Sequence, residues 1–206
     1  LGNMYQSQER DPEALAHDGR VNASQLSATG RSEYHFNRGY AYFAIQDDPA
    51  ALRGFGQVGS DRLYGPSSTY YSAYIDYRNE RLDAARQGFL ALSNNRQYRP
   101  IVPFYLLHND FKNKNYQAVV NDGPGILSSA TGERRAEIMR VIGESYYHLE
   151  HYGDALRYLD AYAAEKGVLT REEQYMSGYA AYMTGDFAKA VNYLGKVAVG
   201  EDLLAQ

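Results

Sequence analysis

Residues 143–159, GESYYHLEHYGDALRYL, share one pattern with residues 178–194, GYAAYMTGDFAKAVNYL, and with residues 39–55, GYAYFAIQDDPAALRGF. Each stretch opens with glycine and aromatic residues and continues through a short polar segment. Each then closes with alanine, followed four positions later by an aromatic residue or leucine. Looser copies begin at Ala73 and Leu107, and a truncated copy begins at Gly2. The chain is therefore a tandem repeat.

The spacing of the copies is regular. The first small position falls at residues 2, 39, 73, 107, 143 and 178, in steps of 37, 34, 34, 36 and 35. The second falls 12 residues later in every copy, at Ala14, Ala51, Ala85, Val119, Ala155 and Ala190. A constant internal distance in six copies predicts one supersecondary unit per copy.

Small residues at this spacing favour two antiparallel helices joined by a short turn, because helices approach closely only where side chains are small. We expect glycine or alanine of the first helix to face alanine of the second, and Phe55, Phe89 and Leu159 to be buried. One such pair cannot bury its apolar face alone, so neighbouring pairs must stack. The prediction is an all-α solenoid of about five and a half helix pairs.

The pattern resembles the tetratricopeptide repeat, a 34-residue helix pair with Gly at position eight, Tyr near eleven, Ala at twenty and an aromatic residue at twenty-four. The resemblance implies a right-handed superhelical array that forms a single domain over residues 1–206. Its repeats would be residues 1–31 (truncated), 32–65, 66–99, 100–135 (irregular), 136–170 and 171–206. The usual tryptophan at position four is absent. The irregular copy carries the insertion Asp122-Gly123-Pro124-Gly125, which predicts a distorted pair.

Three stretches are similar to parts of large multi-repeat envelope proteins of the Bacteroidetes: SEYHFNRGYAYF, YYSAYIDYRNERLDAARQGF and the closing YLGKV…DLLAQ. That resemblance implies a long array behind a secretion signal, located in the periplasm or cell envelope, with the cytoplasm as the alternative. The chain begins at Leu1 without an initiator methionine, and Leu203-Leu204 is not a polar cap. We therefore expect a piece of a longer protein, or self-association through open terminal repeats.

Composition narrows the classes of function. The net charge is −4 and there is no basic tract, which argues against a nucleic-acid partner. No apolar run approaches the roughly 20 residues of a membrane span. Cysteine is absent, which removes disulfides, thiolate metal sites and cysteine nucleophiles but leaves the compartment open. The 21 tyrosines suit half-buried helix packing or a wet binding groove.

Motifs for catalysis or cofactor binding are weak. Gly54-Phe55-Gly56-Gln57-Val58-Gly59 matches the dinucleotide pattern, but it should close a helix rather than open one, so we interpret it as a glycine-rich helix end. His148 and His151 lie three residues apart without a third ligand at zinc spacing. No nucleophile pairs with a base in a known motif. The sequence predicts no enzyme activity, no cofactor and no metal.

The resemblance implies that the first helix of each pair lines a concave groove. Position five carries Phe36, Tyr70, Phe104, Arg140 and Tyr175, and position nine carries Tyr40, Tyr74, His108, Glu144 and Tyr179. We predict that these residues bind a protein or peptide, with the position-nine side chains partly open to solvent. Aromatic residues at position twelve either join them or pack against neighbouring helices. The lysine and asparagine of the family's clamp for acidic tails are absent.

Two alternatives remain. Stacked tyrosines also suit sugar faces, so the chain could be a carbohydrate-binding module, with Asp76, Asn79 and His108 as the nearest polar groups. The array could also be a structural spacer without a ligand. Exposed position-nine side chains would favour a binding groove, whereas buried ones would favour a structural spacer.

Overall fold

The computed structural model describes residues 23–202, so most of the truncated copy and the apolar C-terminal residues lie outside it. Within this range the chain is helical, with a short 3-10 turn at Ala23–Gln25 and ten α-helices. They are α1 (Ala28–Ala44), α2 (Asp48–Gly56), α3 (Gly65–Arg78), α4 (Leu82–Ala91), α5 (Val102–Lys112), α6 (Tyr116–Leu127), α7 (Gly132–His148), α8 (Tyr152–Lys166), α9 (Arg171–Met183) and α10 (Phe187–Asp202). The predicted all-α fold is confirmed.

The helices form successive pairs, one pair per sequence copy. The chain divides after Val102 into two compact units. The first contains α1 to α4, and the second contains α6 to α10 with nearly all of α5. No helix in the described range is long and apolar enough to cross a membrane. Stacking of all copies into one array remains a prediction.

Each first helix ends in the same left-handed turn. The middle residue of the three-residue connection has positive φ in every pair: Gln46, Glu80, Lys114, Glu150 and Gly185. The next residue donates its backbone N–H to the carbonyl five positions earlier, as from Asp47 to Tyr42 at 2.9 Å and from Asp186 to Ala181 at 2.9 Å. This is the Schellman pattern, which satisfies carbonyls at a helix C-terminus. Among the described pairs, glycine occupies this positive-φ position only in the last one, so residue type did not reveal the motif.

The glycines of the first helices lie at close helix crossings, although their partner differs from the predicted one. A Cβ on Gly143 would lie 2.9 Å from Cγ of Leu159, and one on Gly39 would lie 2.8 Å from the ring of Phe55. Each glycine therefore faces the large residue four positions after the second-helix alanine, rather than the alanine itself. Ala51, Ala85, Ala155 and Ala190 are nevertheless buried. Glycine is required at these positions because the large side chain of the second helix fills the space that a Cβ would occupy.

Two kinds of core result. In the first unit, Phe36 and Phe55 pack with partly buried Tyr40, Tyr64 and Tyr71. In the second unit, the pairs α5–α6 and α7–α8 share an aliphatic cluster of Leu107, Val119, Ile138, Val141 and Ile142. Phe55, Phe89 and Leu159 are buried, as predicted.

The irregular copy accommodates its insertion inside a helix. Residues 122–125 lie within α6, with Pro124 inside the helix, so the insertion does not interrupt the pair. A Cβ on Gly123 would lie 2.6 Å from Ile142, and α6 therefore packs closely on α7 at this point. The glycine motif at 54–59 lies at the end of α2, as predicted for a helix end.

Candidate partner-binding surfaces

In the first unit the position-nine tyrosines are half-buried, as predicted. Tyr40 meets Tyr71 edge to face at 5.2 Å, and Tyr74 meets Phe43 in the same way at 6.0 Å. The guanidinium of Arg78 lies 5.5 Å from the centre of the Phe43 ring. These contacts hold the rings in place while part of their surface remains open. Rigid aromatic surface is well suited to recognition because little side-chain entropy is lost on binding.

The position-five residues of the first unit face inward more than predicted. Phe36 is 4% exposed and packs against Phe55 and Tyr64 at ring distances of 5.9 and 5.4 Å. The ring of Phe36 is therefore not open to a partner in this structure, because the aromatic side chains of Phe55, Tyr64 and Tyr71 enclose it. Tyr70 is half-buried and stacks on Tyr98 at 4.8 Å.

In the second unit, His108 differs most clearly from its predicted exposure. Its side chain was predicted to be partly open, but it is 6% exposed. The ring lies 4.3 Å from that of half-buried Phe104, and Nδ1 lies 3.9 Å from Oε1 of Glu137. Nε2 has no hydrogen-bond partner among the described residues. Burial lowers the pKa of His108 to about 4, with Glu137 opposing and Arg140 and Lys112 adding to the effect, so the ring is neutral at pH 7.

Arg140 is held by two carboxylates. It donates to both oxygens of Glu137, at 3.0 and 2.6 Å, and to Oε1 of Glu144 at 2.6 Å. Its guanidinium lies 5.7 Å from the centre of the Phe111 ring. Burial raises the pKa of Glu144 and the charge of Arg140 opposes this shift. The predicted site residue Glu144 is itself only 8% exposed, so it orients Arg140 rather than offering a free surface.

Tyr175 and Tyr179 form the most open aromatic surface of the predicted set. Tyr175 is 48% exposed and stacks on half-buried Tyr179 at 6.1 Å. Tyr179 in turn meets Tyr147 and Tyr152 edge to face at 5.9 and 5.6 Å. Tyr147 lies seven residues after Arg140 and three after Glu144 on α7, so these three side chains share one helix face. The aromatic and charged groups of the second unit are therefore contiguous.

Position twelve mainly serves the stacking of helix pairs. Phe43 contacts Tyr74 of the next pair, and Tyr147 contacts Tyr179. Glu137 was not among the predicted site residues, although it binds Arg140 more extensively than Glu144 does. Its position three residues before Arg140 on the same helix was the available signal.

The polar groups considered for sugar binding are already engaged. Asp76 accepts a hydrogen bond from Nε of Arg81 at 2.7 Å. Asn79 donates to Asp48 at 2.6 Å and to the carbonyl of Ile75 at 2.9 Å. His108 is buried. The described part of the chain contains no group of three acidic or histidine side chains placed to hold a metal ion.

His148 and His151 contact different rings. His148 stacks on Tyr116 at 4.4 Å, and His151 lies 6.0 Å from the ring of Tyr146. Packing against a tyrosine ring therefore explains the position of each imidazole.

Solved structures with the same fold are tetratricopeptide-type proteins. MamA from Desulfovibrio magneticus RS-1 is 13% identical, with a TM-score of 0.70 over 83% of this chain and 95% of that one. The apo form of RapI is 14% identical, with a TM-score of 0.69 over 90% of this chain and 57% of that one. A Rap protein complexed with competence and sporulation factor, 14% identical, gives 0.53 over the same shares of the two chains. The fold is therefore of the tetratricopeptide type.

No protein-family model matches the sequence. No curated protein matches it either.

Proposed function

We propose that this chain is a scaffold that binds a protein or peptide along the exposed faces of its first helices. The carrying observation is the surface of the second unit formed by Tyr147, Tyr175 and Tyr179 beside Arg140. Tyrosine and arginine are the residue types that most often dominate binding energy at interfaces. Here the stacked rings are fixed by one another, and the guanidinium is fixed by Glu137 and Glu144.

The charge of this surface suggests which partner it fits. Glu137, Arg140 and Glu144 together carry one net negative charge, and the side chain of Glu137 is 37% exposed. A bound segment would therefore place an apolar or aromatic side chain on Tyr175 and a hydrogen-bond donor near Glu137. A charged rim mainly directs association and register, whereas the aromatic contact supplies most of the affinity.

The comparisons support a peptide or protein ligand. The Rap protein of similar fold was crystallised with competence and sporulation factor. The groups that a sugar would need are occupied by internal hydrogen bonds, so the carbohydrate alternative gains no support. Half-buried Tyr40 and Tyr74 of the first unit offer a second surface of the same aromatic kind.

The test is selection of binding peptides from a displayed random library on the folded chain. We expect selected peptides to lose about tenfold in affinity when Tyr175 is replaced by alanine, measured by fluorescence anisotropy. Val168→Ala is the matched control, because Val168 is also highly exposed but lies in the connection before α9. Thermal unfolding of both variants should match that of the parent.

If no selected peptide responds to Tyr175→Ala, the aromatic surface is not the binding site. The structural-spacer alternative would then account better for the array.

We also propose a periplasmic or cell-envelope location, with the cytoplasm as the alternative. The support is the similarity of three sequence stretches to envelope repeat proteins. Fractionation of cells that express the native gene would test it, and recovery with the cytoplasmic fraction would contradict it.

A further inference from the structure

Lysine and arginine side chains of the second unit cover several of its aromatic rings. With 4.9 to 5.7 Å between the cation and the ring centre, these pairs are Arg134 over Phe104, Arg140 over Phe111, Arg157 over Tyr158 and Lys166 over Tyr162. A cation in this position is attracted by the negative face of the ring. Cation–π contacts are therefore a recurrent packing element of this unit.

One aromatic cluster of the second unit has no such cation. This tyrosine cluster consists of Tyr147 and Tyr152, which meet edge to face at 5.8 Å, together with Tyr175 and Tyr179. Among the described residues, no lysine or arginine side chain lies over any of its rings. Tyr175 is 48% exposed and the other three are half-buried. The cluster is therefore open to a cation from another molecule.

A carboxylate lies on the same helix face as the tyrosine cluster. Arg140, Glu144 and Tyr147 occupy positions i, i+4 and i+7 of α7, so Glu144 stands between the other two. Oε1 of Glu144 accepts a hydrogen bond from Arg140 at 2.6 Å. Oε2 has no hydrogen-bond partner among the described residues and, unlike Nε2 of His108, is not fully enclosed. One acceptor oxygen of Glu144 therefore remains available beside Tyr147.

The charge around Glu144 is negative on balance. Burial raises the pKa of Glu144, and the charge of Arg140 opposes this shift. The neighbouring carboxylates of Glu173 and Glu137 raise it further. Lys166 interacts with Glu173 and Glu137 and balances one of the three carboxylates, which leaves one negative charge in excess. An added cation would therefore stabilise the ionised form of Glu144.

The charge of the whole second unit favours the same kind of ligand. Residues 103–206 contain 14 acidic and 10 basic side chains, whereas residues 23–102 contain 7 acidic and 9 basic ones. A net negative unit attracts basic partners over about one Debye length, roughly 10 Å at 0.1 M salt. Attraction at a distance and the local site are therefore complementary to a positive charge.

We propose that the second unit binds a basic segment of a partner protein, with one lysine or arginine side chain between Oε2 of Glu144 and the tyrosine cluster. The site rests on the proposed function, since it specifies the hydrogen-bond donor of the bound segment as a cation. The charged head contacts the carboxylate and the rings, while its methylene stem packs on apolar surface. An acidic segment is disfavoured, because two carboxylates already neutralise Arg140.

The probe is a displayed library of random peptides, from which the tightest binder that depends on Tyr175 is synthesised with a fluorescein label. We expect a lysine or arginine in this peptide, and its replacement by glutamine should weaken binding to the parent about tenfold by fluorescence anisotropy. The same peptide change should matter less than about twofold for Glu144→Gln, which retains an acceptor for Arg140 but lacks the charge.

Asp122→Gln is the matched control. Asp122 is an exposed carboxylate of α6 in the same unit, so this variant loses the same charge away from the tyrosine cluster and should keep the tenfold difference. Tyr147→Leu retains an apolar side chain against α9 but removes the ring, and should also reduce the preference for the basic peptide. It carries the test if thermal melts show that Glu144→Gln does not fold.

The outcomes separate this site from the proposed function. Selected peptides that depend on Tyr175 but need no basic residue would leave peptide binding intact and overturn the cation site. Equal loss of the preference in Glu144→Gln and Asp122→Gln would indicate general charge attraction and would also overturn it. If no selected peptide depends on Tyr175, the proposed function fails and the cation site fails with it.

Discussion

The two units use the same repeat position for opposite purposes. At position five, Phe36 of the first unit is enclosed by aromatic rings of neighbouring helices, whereas partly buried Arg140 of the second unit is held between two glutamates. Both positions lie three residues before the small residue that packs on the second helix. Close contact at the helix crossing therefore limits side-chain size only at the small position. The residue one turn earlier, at position five, depends on which side chains of neighbouring helices surround it.

The largest expected effect compares this position directly. Phe36→Ala should lower the free energy of unfolding by about 4 kcal/mol, because it removes a buried ring from an aromatic core. Arg140→Ala should cost about 2 kcal/mol, because it leaves the carboxylate of Glu144 buried without its partner. Denaturant unfolding of the two variants checks the difference. Equal losses of unfolding free energy in the two variants would mean that position five has the same role in both helices.

The second prediction compares the helix crossings. A Cβ on Gly54 would lie 2.6 Å from the Cα of Gly39, which is backbone, so Gly54→Ala should cost about 3 kcal/mol. Gly178→Ala meets side-chain atoms alone, those of half-buried Leu194 and, at 3.1 Å, the Cβ of Tyr193, and should cost about 1 kcal/mol. Gly56→Ala, with no atom near the added Cβ, is the control and should be close to neutral. Thermal melts of the three variants would test this order.

The third prediction concerns pH. Because burial lowers the pKa of His108 from 6.5 to about 4, the unfolded chain binds more protons between these values. The stability that neutral His108 permits is therefore present above pH 6.5 and is lost as the pH falls toward 4. We expect the parent to lose about 2 kcal/mol more than His108→Phe between pH 7 and 4.5.

Urea titrations at the two pH values measure this difference. Both proteins retain Glu137, Arg140 and Lys112, the charged groups around the ring, so the comparison isolates the imidazole. Identical pH profiles would show that the imidazole of His108 is solvated rather than buried.

The smallest expected effect concerns Tyr175, the position-five residue of the last described pair. Its ring is largely exposed and stacks on Tyr179 from one side. Tyr175→Ala should therefore change the free energy of unfolding by no more than about 0.5 kcal/mol, while it weakens binding of a selected peptide. A stability loss comparable to that of Phe36→Ala would assign the ring to the core and remove it from the binding surface.

Side-chain exposure was predicted correctly where it follows from the repeat and incorrectly where it depends on neighbouring helices, whereas partner binding by these residues stays a prediction. Tyr40, Tyr74 and Tyr179 are partly open, as expected for position nine. His108 occupies the same position but is buried, because Phe104, Glu137 and Arg140 surround it. Glu137 occupies position two of its repeat, and the folded arrangement revealed that it holds Arg140.

The amino-acid sequence by itself determined that the chain forms helix pairs and which small residues lie at their crossings. Glycine and alanine recur at these points in four of the five described pairs because close helix contact excludes larger side chains, whereas the pair α5–α6 has Leu107 and Val119 there. Only the tertiary structure decided which side of each first helix is buried. That choice depends on side chains brought in from helices distant in sequence, such as Tyr64 and Tyr71 around Phe36. The left-handed turn residues were also hidden, since glutamine, glutamate, lysine and glycine all occupy a conformation imposed by hydrogen bonding at the helix end.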